Sequence, residues 1–199
     1  MRVIGLSGKA GHGKDTVAQV LLSLYEDYGL QRRALADALK EDIADLLLQQ
    51  DSGWGLQVWQ AVGQVDRLAF INAIKREPEI RSLLQAYGVA QRKARPDFWI
   101  QRLFTWAEER EVKALVVPDV RFTNEADAIR SKGGLVVRVV RPFYNNGLTA
   151  EQRAHSSETE LDNYPYFAFT LFNDGALSRL RQQVQGNALE MYLRRRGNG

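Results

Sequence analysis

The sequence contains no cysteine, which excludes disulfide bonds and cysteine-based zinc sites. Its only two histidines, His12 and His155, are far apart in the sequence, so we do not expect a histidine metal site. No apolar run approaches the roughly 18 residues that a membrane-spanning helix requires. The N-terminus also lacks the long apolar segment of a signal peptide. We therefore expect a soluble cytoplasmic protein with no membrane partner.

The sequence has only a small excess of basic over acidic residues. The net charge is +3 and the calculated pI is about 9.2, and part of this charge lies in Arg194-Arg195-Arg196 at the C-terminal end. Nucleic-acid-binding proteins usually show a basic stripe with interleaved aromatic residues, which is not evident here. We expect the basic residues to bind phosphorylated small molecules, and we expect no stable nucleic-acid partner.

The length and composition are those of a globular protein. The chain has 199 residues, of which 45% are hydrophobic and 26% are charged. This length suffices for one α/β domain with a substantial core, with room for a small inserted subdomain.

A glycine-rich segment near the N-terminus carries the strongest functional signal. Gly8, Gly13 and Lys14 have the G-x-x-x-x-G-K spacing of a phosphate-binding loop, and they lie between an apolar strand candidate and an amphipathic helix candidate. Such loops turn backbone N–H groups toward phosphate, and the helix N-terminus adds partial positive charge. The alternative is a glycine-rich turn that happens to precede a lysine. The predicted ATP-binding residues of this loop are Gly8, Lys9, Ala10, Gly11, His12, Gly13, Lys14, Asp15 and Thr16.

One position in the loop departs from the generic motif. Asp15 stands where a serine or threonine hydroxyl usually holds Mg²⁺. Thr16 is not a simple substitute, because one step along a helix rotates the side chain by about 100°. We predict Asp15 as the metal ligand, with a first-turn helix carboxylate as the alternative.

Strand and helix candidates alternate along the chain, which predicts a mostly parallel five-stranded sheet flanked by helices. Ligands of such sheets bind beyond the carboxyl ends of the strands. A polar residue, or the glycine that begins the phosphate-type loop, follows each predicted strand, so we expect these positions to converge on one cleft. The predicted strands cover residues 3–6, 33–36, 114–117, 135–140 and 168–172, and the residues that follow them are Gly8, Asp37, Asp119, Arg141 and Asn173.

These residues fit the parts that phosphoryl transfer requires. Lys14 would reach the nucleotide phosphates, Asp119 could orient Mg²⁺ through water or accept a proton, and Arg121 could grip an acceptor phosphate bidentately. We predict these three as catalytic. Arg141 and Asn173 are further predicted ATP-binding residues. The predicted acceptor-binding residues are Asp37, Lys40, Arg81, Gln85, Arg92, Arg121 and Arg153.

Some of these residues have simpler interpretations. Asp37 can equally be a helix N-cap, and any single arginine can be a solvated surface residue. The polar segment 141–158 has the length of a lid, and Arg141 or Arg153 could close over the phosphates and exclude water.

The motifs together resemble the bacteriophage-type deoxynucleoside monophosphate kinases, in which aspartate after the loop lysine is usual. The resemblance is carried by Gly8 to Thr16, Ala36 to Lys40, Arg81 to Gly88, Asp97-Phe98-Trp99, Pro118 to Arg121, His155 to Glu158 and Asn173-Asp174-Gly175. Residues 50–78 match no motif that we recognise.

The resemblance implies a single three-layer P-loop kinase domain over residues 1–199. Its helical acceptor-binding insertion would cover about residues 41–95, and its lid about residues 141–159. It also implies phosphorylation of deoxynucleoside 5′-monophosphates to diphosphates, with ATP and Mg²⁺, in the host cytoplasm if the gene is phage-encoded.

Two alternative functions remain open at this stage. One is another small-molecule kinase on the same scaffold, such as a dephospho-coenzyme A or phosphomevalonate kinase. The other is a nucleic-acid-stimulated ATPase. A homodimer is also left open.

Overall fold

The computed structural model describes residues 1–49, 60, 66–185 and 188–194. The chain divides into two compact units. The first, here the nucleotide unit, combines Met1–Ala34 with Phe104–Gly199, and the second, here the helical unit, is Leu35–Leu103. Within the described ranges, no helix has both the length and the apolar character needed to cross a membrane.

The nucleotide unit contains a five-stranded sheet with the strand order β2-β3-β1-β4-β5. Every pairing among these described strands is parallel, as predicted. In the central pair, Arg2 lies opposite Ala114 and Gly5 lies opposite Val117. The strands are β1 Arg2–Ser7, β2 Leu30–Arg32, β3 Ala114–Val120, β4 Leu135–Val140 and β5 Phe169–Phe172.

Helices occupy most of the remaining described chain. A short 3₁₀ helix, Glu26–Tyr28, precedes β2 and ends at Gly29, which has a left-handed φ of 63°. The α-helices are α1 Lys14–Leu24, α2 Leu35–Gln49, α3 Arg67–Ile74, α4 Pro78–Ala94, α5 Phe98–Glu109, α6 Thr123–Ser131, α7 Ala150–Ala154, α8 Ser156–Thr159, α9 Leu177–Val184 and α10 Ala188–Arg194.

The core of the nucleotide unit explains why the continuous apolar run of β3 predicts a strand. Leu115, Val116 and Val117 are all fully buried, as expected for a parallel strand covered on both faces. One face of β1 and β3 packs with α1, including Val17 and Leu21.

The strand predicted over residues 33–36 is wrong. The edge strand β2 ends at Arg32, and α2 begins at Leu35. Ala34, Leu35 and Ala38 are all buried. Leu35 and Ala38 lie one and four positions after Ala34, which suits one face of a helix. A short apolar run does not by itself distinguish a buried strand from a helix start.

The sequence predicts that Thr123 caps a helix and that one helix runs from Ala176 toward Arg194. The structure corrects both predictions. Thr123 does not cap α6. It is the first helical residue, and Glu125 of the same helix accepts the N–H groups of Arg121 and Phe122 at 2.9 and 3.2 Å. The single helix predicted from Ala176 to Arg194 is two helices, because Gln185 has an extended backbone after α9.

The helical unit has a core of its own. Helices α2, α3 and α4 contribute its buried residues, which are Ile43, Ala44, Phe70, Ile71, Ile74 and Ile80. Helix α3 is capped by Asp66, whose side chain accepts the N–H of Leu68 at 2.9 Å. The sequence predicts a turn at residues 51–55 and apolar residues at helical spacing from Val58 to Ile74. The turn and residues 58–59 and 61–65 of that stretch lie outside the described residues, and the end of the stretch forms α3.

Candidate active site

The glycine-rich loop joins β1 to α1, in the predicted order of strand, loop and helix. Gly13 directly precedes α1 with a φ of +89°, a conformation that costs other residues roughly 1–2 kcal/mol. A Cβ atom there would lie 2.3 Å from Nδ2 of Asn173. A Cβ atom on Gly8 would lie 2.3 Å from the carbonyl oxygen of Val139. Glycine is therefore required at both positions by close neighbours as well as by conformation.

Lys14 is folded back onto its own loop. Its Nζ donates hydrogen bonds to the carbonyl oxygens of Gly8 at 2.7 Å and Lys9 at 3.0 Å. The residue is only 9% exposed. Burial and then the neighbouring charge of Arg121 lower the pKa of Lys14 to about 8. A cation is thus fixed inside the loop.

The three residues predicted as catalytic lie near one another. Asp119 is the next-to-last residue of β3, and Arg121 directly follows that strand. The charges of both act on Lys14, where Arg121 lowers the lysine pKa and Asp119 raises it. The structure therefore brings the loop lysine and the end of β3 together at the carboxyl edge of the sheet.

Glu158 is the important side chain that residue-by-residue reasoning from the sequence missed. Its side chain is 8% exposed, and its Oε1 accepts a hydrogen bond from Nη1 of Arg121 at 2.6 Å. Its Oε2 accepts the backbone N–H of Ala10 at 2.8 Å. Burial alone would raise the pKa of Glu158. The hydrogen bonds from Ala10 and Arg121, with the charges of Arg121 and Lys14, outweigh burial and lower the pKa.

Lys9 also connects the glycine-rich loop to the segment that contains Glu158 and Asp162. Its ammonium group donates to the backbone carbonyl of Glu158 and forms an ion pair with Asp162. Arg138 of β4 donates to the carbonyl oxygen of Asp162 at 3.0 Å. A small open pocket lies here, lined by Gly8, Lys9, Arg121, Arg138, Glu158 and Asp162 among others.

The other side of the loop contacts the segment after β5. Asn173 donates from Nδ2 to the carbonyl oxygen of His12 at 3.1 Å. Nδ1 of His12 lies 3.2 Å from the carbonyl oxygen of Val139. Burial, followed by the charges of Lys14 and Lys9, lowers the pKa of His12.

The two predicted lid arginines differ in their surroundings. The guanidinium of Arg141 stacks on the ring of Tyr144 at 4.2 Å. That ring is so near the loop that a Cβ on Gly11 would lie 2.3 Å from it. Arg153 is exposed on α7.

Two carboxylates near Lys14 are the residues that could hold a metal ion. Asp15 and Asp119 both raise the pKa of Lys14, so two carboxylates lie within electrostatic reach of its ammonium group. Mg²⁺ is usually held by one or two carboxylates together with water and substrate phosphates. Asp15 is 75% exposed and accepts a hydrogen bond from Arg32 at 2.8 Å. The described ranges contain no cluster of three or more histidine, aspartate or glutamate ligands.

Asp37 and Lys40 lie in the helical unit. The prediction that Asp37 ends a strand is wrong, and so is its alternative as an N-cap, because the residue lies inside the first turn of α2. It is 5% exposed. Nζ of Lys40, one turn further, lies 3.1 Å from its Oδ1.

Three predicted acceptor residues share one face of α4. Gln85 and Arg92 lie four and eleven positions after Arg81, which places all three within about 40° around the helix axis. Arg81 and Gln85 are exposed. Each could therefore contact a ligand lying along this face.

Sequence comparison decides the family. A family model described as deoxynucleotide monophosphate kinase matches residues 48–184, which is more than half of the chain. The chain belongs to the deoxynucleotide monophosphate kinase family. Membership confirms the predicted enzyme class and the predicted reaction, phosphorylation of deoxynucleoside monophosphates.

Three further similarities accompany this match. A protein of Acanthamoeba polyphaga mimivirus named "Putative deoxynucleotide monophosphate kinase" is 27% identical over 92% of this chain and 94% of its own length. The solved protein TT1252 from Thermus thermophilus aligns with 21% identity over 92% of this chain and 94% of its own, with a TM-score of 0.43. A dephospho-CoA kinase from Campylobacter jejuni aligns with 16% identity over 92% and 93%, with a TM-score of 0.45.

Proposed function

We propose that this kinase transfers the γ-phosphoryl group of ATP, with Mg²⁺, to deoxynucleoside 5′-monophosphates in the cytoplasm, that of the host if the gene is phage-encoded. The observation that carries the proposal is the position of Lys14, which is buried in a phosphate-type loop beside Asp119 and Arg121. The chain would act as one P-loop kinase domain. Its partners would be small nucleotides, with no membrane and no stable nucleic-acid partner.

The donor nucleotide would bind at the glycine-rich loop, residues 8–16. Backbone N–H groups of such a loop and the N-terminus of α1 favour phosphate oxygens. The ammonium group of Lys14 would exchange its contact with the loop carbonyls for a phosphate oxygen as the phosphate enters. Asn173 and Arg141 would complete the donor site. Asn173 holds the carbonyl of His12, and Arg141 reaches the loop through Tyr144.

Asp15 and Asp119 are the residues that would hold Mg²⁺, with Asp15 as the direct ligand. When bound, the ion would neutralise charge on the transferred phosphoryl group. Asp15 would release Arg32 to do this, since its carboxylate now accepts a hydrogen bond from that arginine.

The acceptor would be bound by several cationic side chains, one amide and one carboxylate. Arg121 would orient the acceptor phosphate, because a guanidinium presents a planar fork of N–H donors to phosphate oxygens. We assign the helical region of about residues 41–95 to the acceptor, with Arg81 and Arg92 for the phosphate and Gln85 for a base edge. Asp37 and Lys40 would contribute from α2. Arg153 would act from the lid, about residues 141–159, which would exclude water during transfer.

An acceptor screen tests the proposal. The protein is incubated with Mg²⁺-ATP and, in separate reactions, with each natural nucleoside monophosphate in deoxyribose and ribose forms, with dephospho-coenzyme A, with phosphomevalonate or with DNA. ADP release is followed by a coupled assay. We expect turnover with one or more deoxynucleotides. Turnover only with dephospho-coenzyme A or phosphomevalonate, or only when DNA is added, would contradict the proposal.

A further inference from the structure

We propose that Glu158 is a positioning residue for phosphoryl transfer, which fixes the guanidinium of Arg121 beside the phosphate loop so that its fork faces the acceptor phosphate. This inference rests on the proposed function of Arg121. The inference goes beyond the proposed function because it assigns a role to a carboxylate in the segment that precedes β5.

The carboxylate bridges two elements that are distant in the sequence. Oε1 accepts Nη1 of Arg121 at 2.6 Å, and Oε2 accepts the backbone N–H of Ala10 at 2.8 Å. Arg121 directly follows β3, and Ala10 is in the loop after β1. One side chain therefore sets the distance between the predicted acceptor arginine and the predicted donor cradle.

The contact with Arg121 uses only part of the guanidinium. Nη1 donates to Glu158 and, at 3.3 Å, to the carbonyl oxygen of Ser157. Among the described residues, Nη1 is the donor in both side-chain hydrogen bonds of Arg121. Nη2 and Nε keep their N–H groups for a bidentate contact with phosphate oxygens.

Glu158 itself is held firmly. Its side chain is 8% exposed, its backbone N–H donates to the carbonyl of His155 at 2.8 Å, and its own carbonyl accepts the ammonium group of Lys9. A carboxylate fixed at both main chain and side chain restricts Arg121 to a narrow set of orientations. Such prior orientation raises rate and affinity, since less freedom is lost when substrate binds.

The substitution Glu158→Gln can keep only one of the two side-chain contacts, with Ala10 or with Arg121. The glutamine amide has a similar shape but only one acceptor oxygen, so it can satisfy Ala10 or Arg121 and not both. The matched control is Glu160→Gln. Glu160 is two residues away and also accepts a backbone N–H, from Thr123 at 2.8 Å, and the substitution makes the same change in charge.

The test compares steady-state kinetics and donor affinity in the full-length protein. For Glu158→Gln we expect kcat/KM for the deoxynucleotide acceptor to fall by roughly ten- to a hundredfold, as for loss of a charge-assisted contact. The dissociation constant of a non-hydrolysable ATP analogue should stay within about threefold, and Glu160→Gln should match wild type in both measurements. An unchanged acceptor kcat/KM, or a tighter acceptor in Glu158→Gln, would overturn the inference.

A double-mutant cycle tests whether Glu158 acts through Arg121. In an Arg121→Ala background, Glu158→Gln should reduce acceptor kcat/KM by no more than about twofold. A further loss as large as that in the wild-type background would show that Glu158 acts elsewhere and would overturn the inference. Absence of any transfer by the wild-type protein would instead be a failure of the proposed function, which separates the two outcomes.

Discussion

The ammonium group of Lys14 lies 2.7 Å from the carbonyl oxygen of Gly8, the first glycine of the loop that Lys14 itself closes. The seven residues from Gly8 to Lys14 thus form a closed loop around the buried ammonium group. This arrangement depends on glycines that bring the backbone close to its neighbours, and it holds the charge near Asp119, Arg121 and Glu158.

Gly13→Ala should destabilise the protein and weaken ATP binding. The substitution imposes a left-handed residue, at a cost of about 1–2 kcal/mol, and its Cβ would lie 2.3 Å from Nδ2 of Asn173. Gly29→Ala is the matched control, because Gly29 also has a positive φ but no atom within 4 Å of the added Cβ. Chemical denaturation should show a larger loss of unfolding free energy for Gly13→Ala. Equal losses would mean that the contact with Asn173 is unimportant.

Asp15→Ala should shift the magnesium dependence of the reaction to higher concentration, and Asp15→Ser should partly restore it, because a hydroxyl is the usual ligand there. Arg32→Ala is the control, since it removes the partner of Asp15 and leaves the carboxylate. It should leave the magnesium midpoint unchanged or lower. If Asp15→Ala leaves the titration unchanged, Asp15 is only a first-turn carboxylate of α1.

Arg121→Lys should impair use of the acceptor and spare the donor. Lysine keeps the charge but loses the planar fork, so a bidentate contact worth about 1.5–3 kcal/mol is lost. We therefore expect acceptor kcat/KM to fall roughly 10- to 150-fold at saturating ATP. ATP affinity is measured in parallel without acceptor. Weaker ATP binding with an unaffected acceptor would place Arg121 at the donor end.

Glu158 should also stabilise the folded protein in a pH-dependent way. Its pKa is lowered in the folded state from an ordinary value of 4.5, so the unfolded chain binds the proton more readily. The stabilisation is therefore present above pH 4.5 and is lost as the pH falls through the lower, folded-state pKa. The difference in unfolding free energy between wild type and Glu158→Gln should shrink at acidic pH. A difference that is constant from neutral to acidic pH would contradict this.

The loop and the central strands could be predicted from the sequence because their signals are local. Gly8, Gly13 and Lys14 occur at a fixed spacing that a phosphate requires, and β3 is a continuous apolar run. Asp119 and Arg121 followed from the same strand, since parallel strands present their carboxyl ends at one edge.

Glu158 could not be found in this way. Its contact with Ala10 joins residues 148 positions apart, and no local periodicity encodes such a pairing. The strand predicted over residues 33–36 failed for the opposite reason, because a short apolar run fits two local structures and only the packing of Leu35 and Ala38 decides between them.

Transfer of labelled phosphate tests the central claim most directly. ATP carrying a label in its γ-phosphate is mixed with a deoxynucleoside monophosphate and Mg²⁺, and the products are separated. We predict that the label appears in the deoxynucleoside diphosphate. Transfer should fall by roughly a hundredfold or more in folded Lys14→Ala, since a preorganised charge of this kind contributes about 3 kcal/mol or more to the transition state. Label released only as inorganic phosphate, or transfer by Lys14→Ala within tenfold of wild type, would contradict the account.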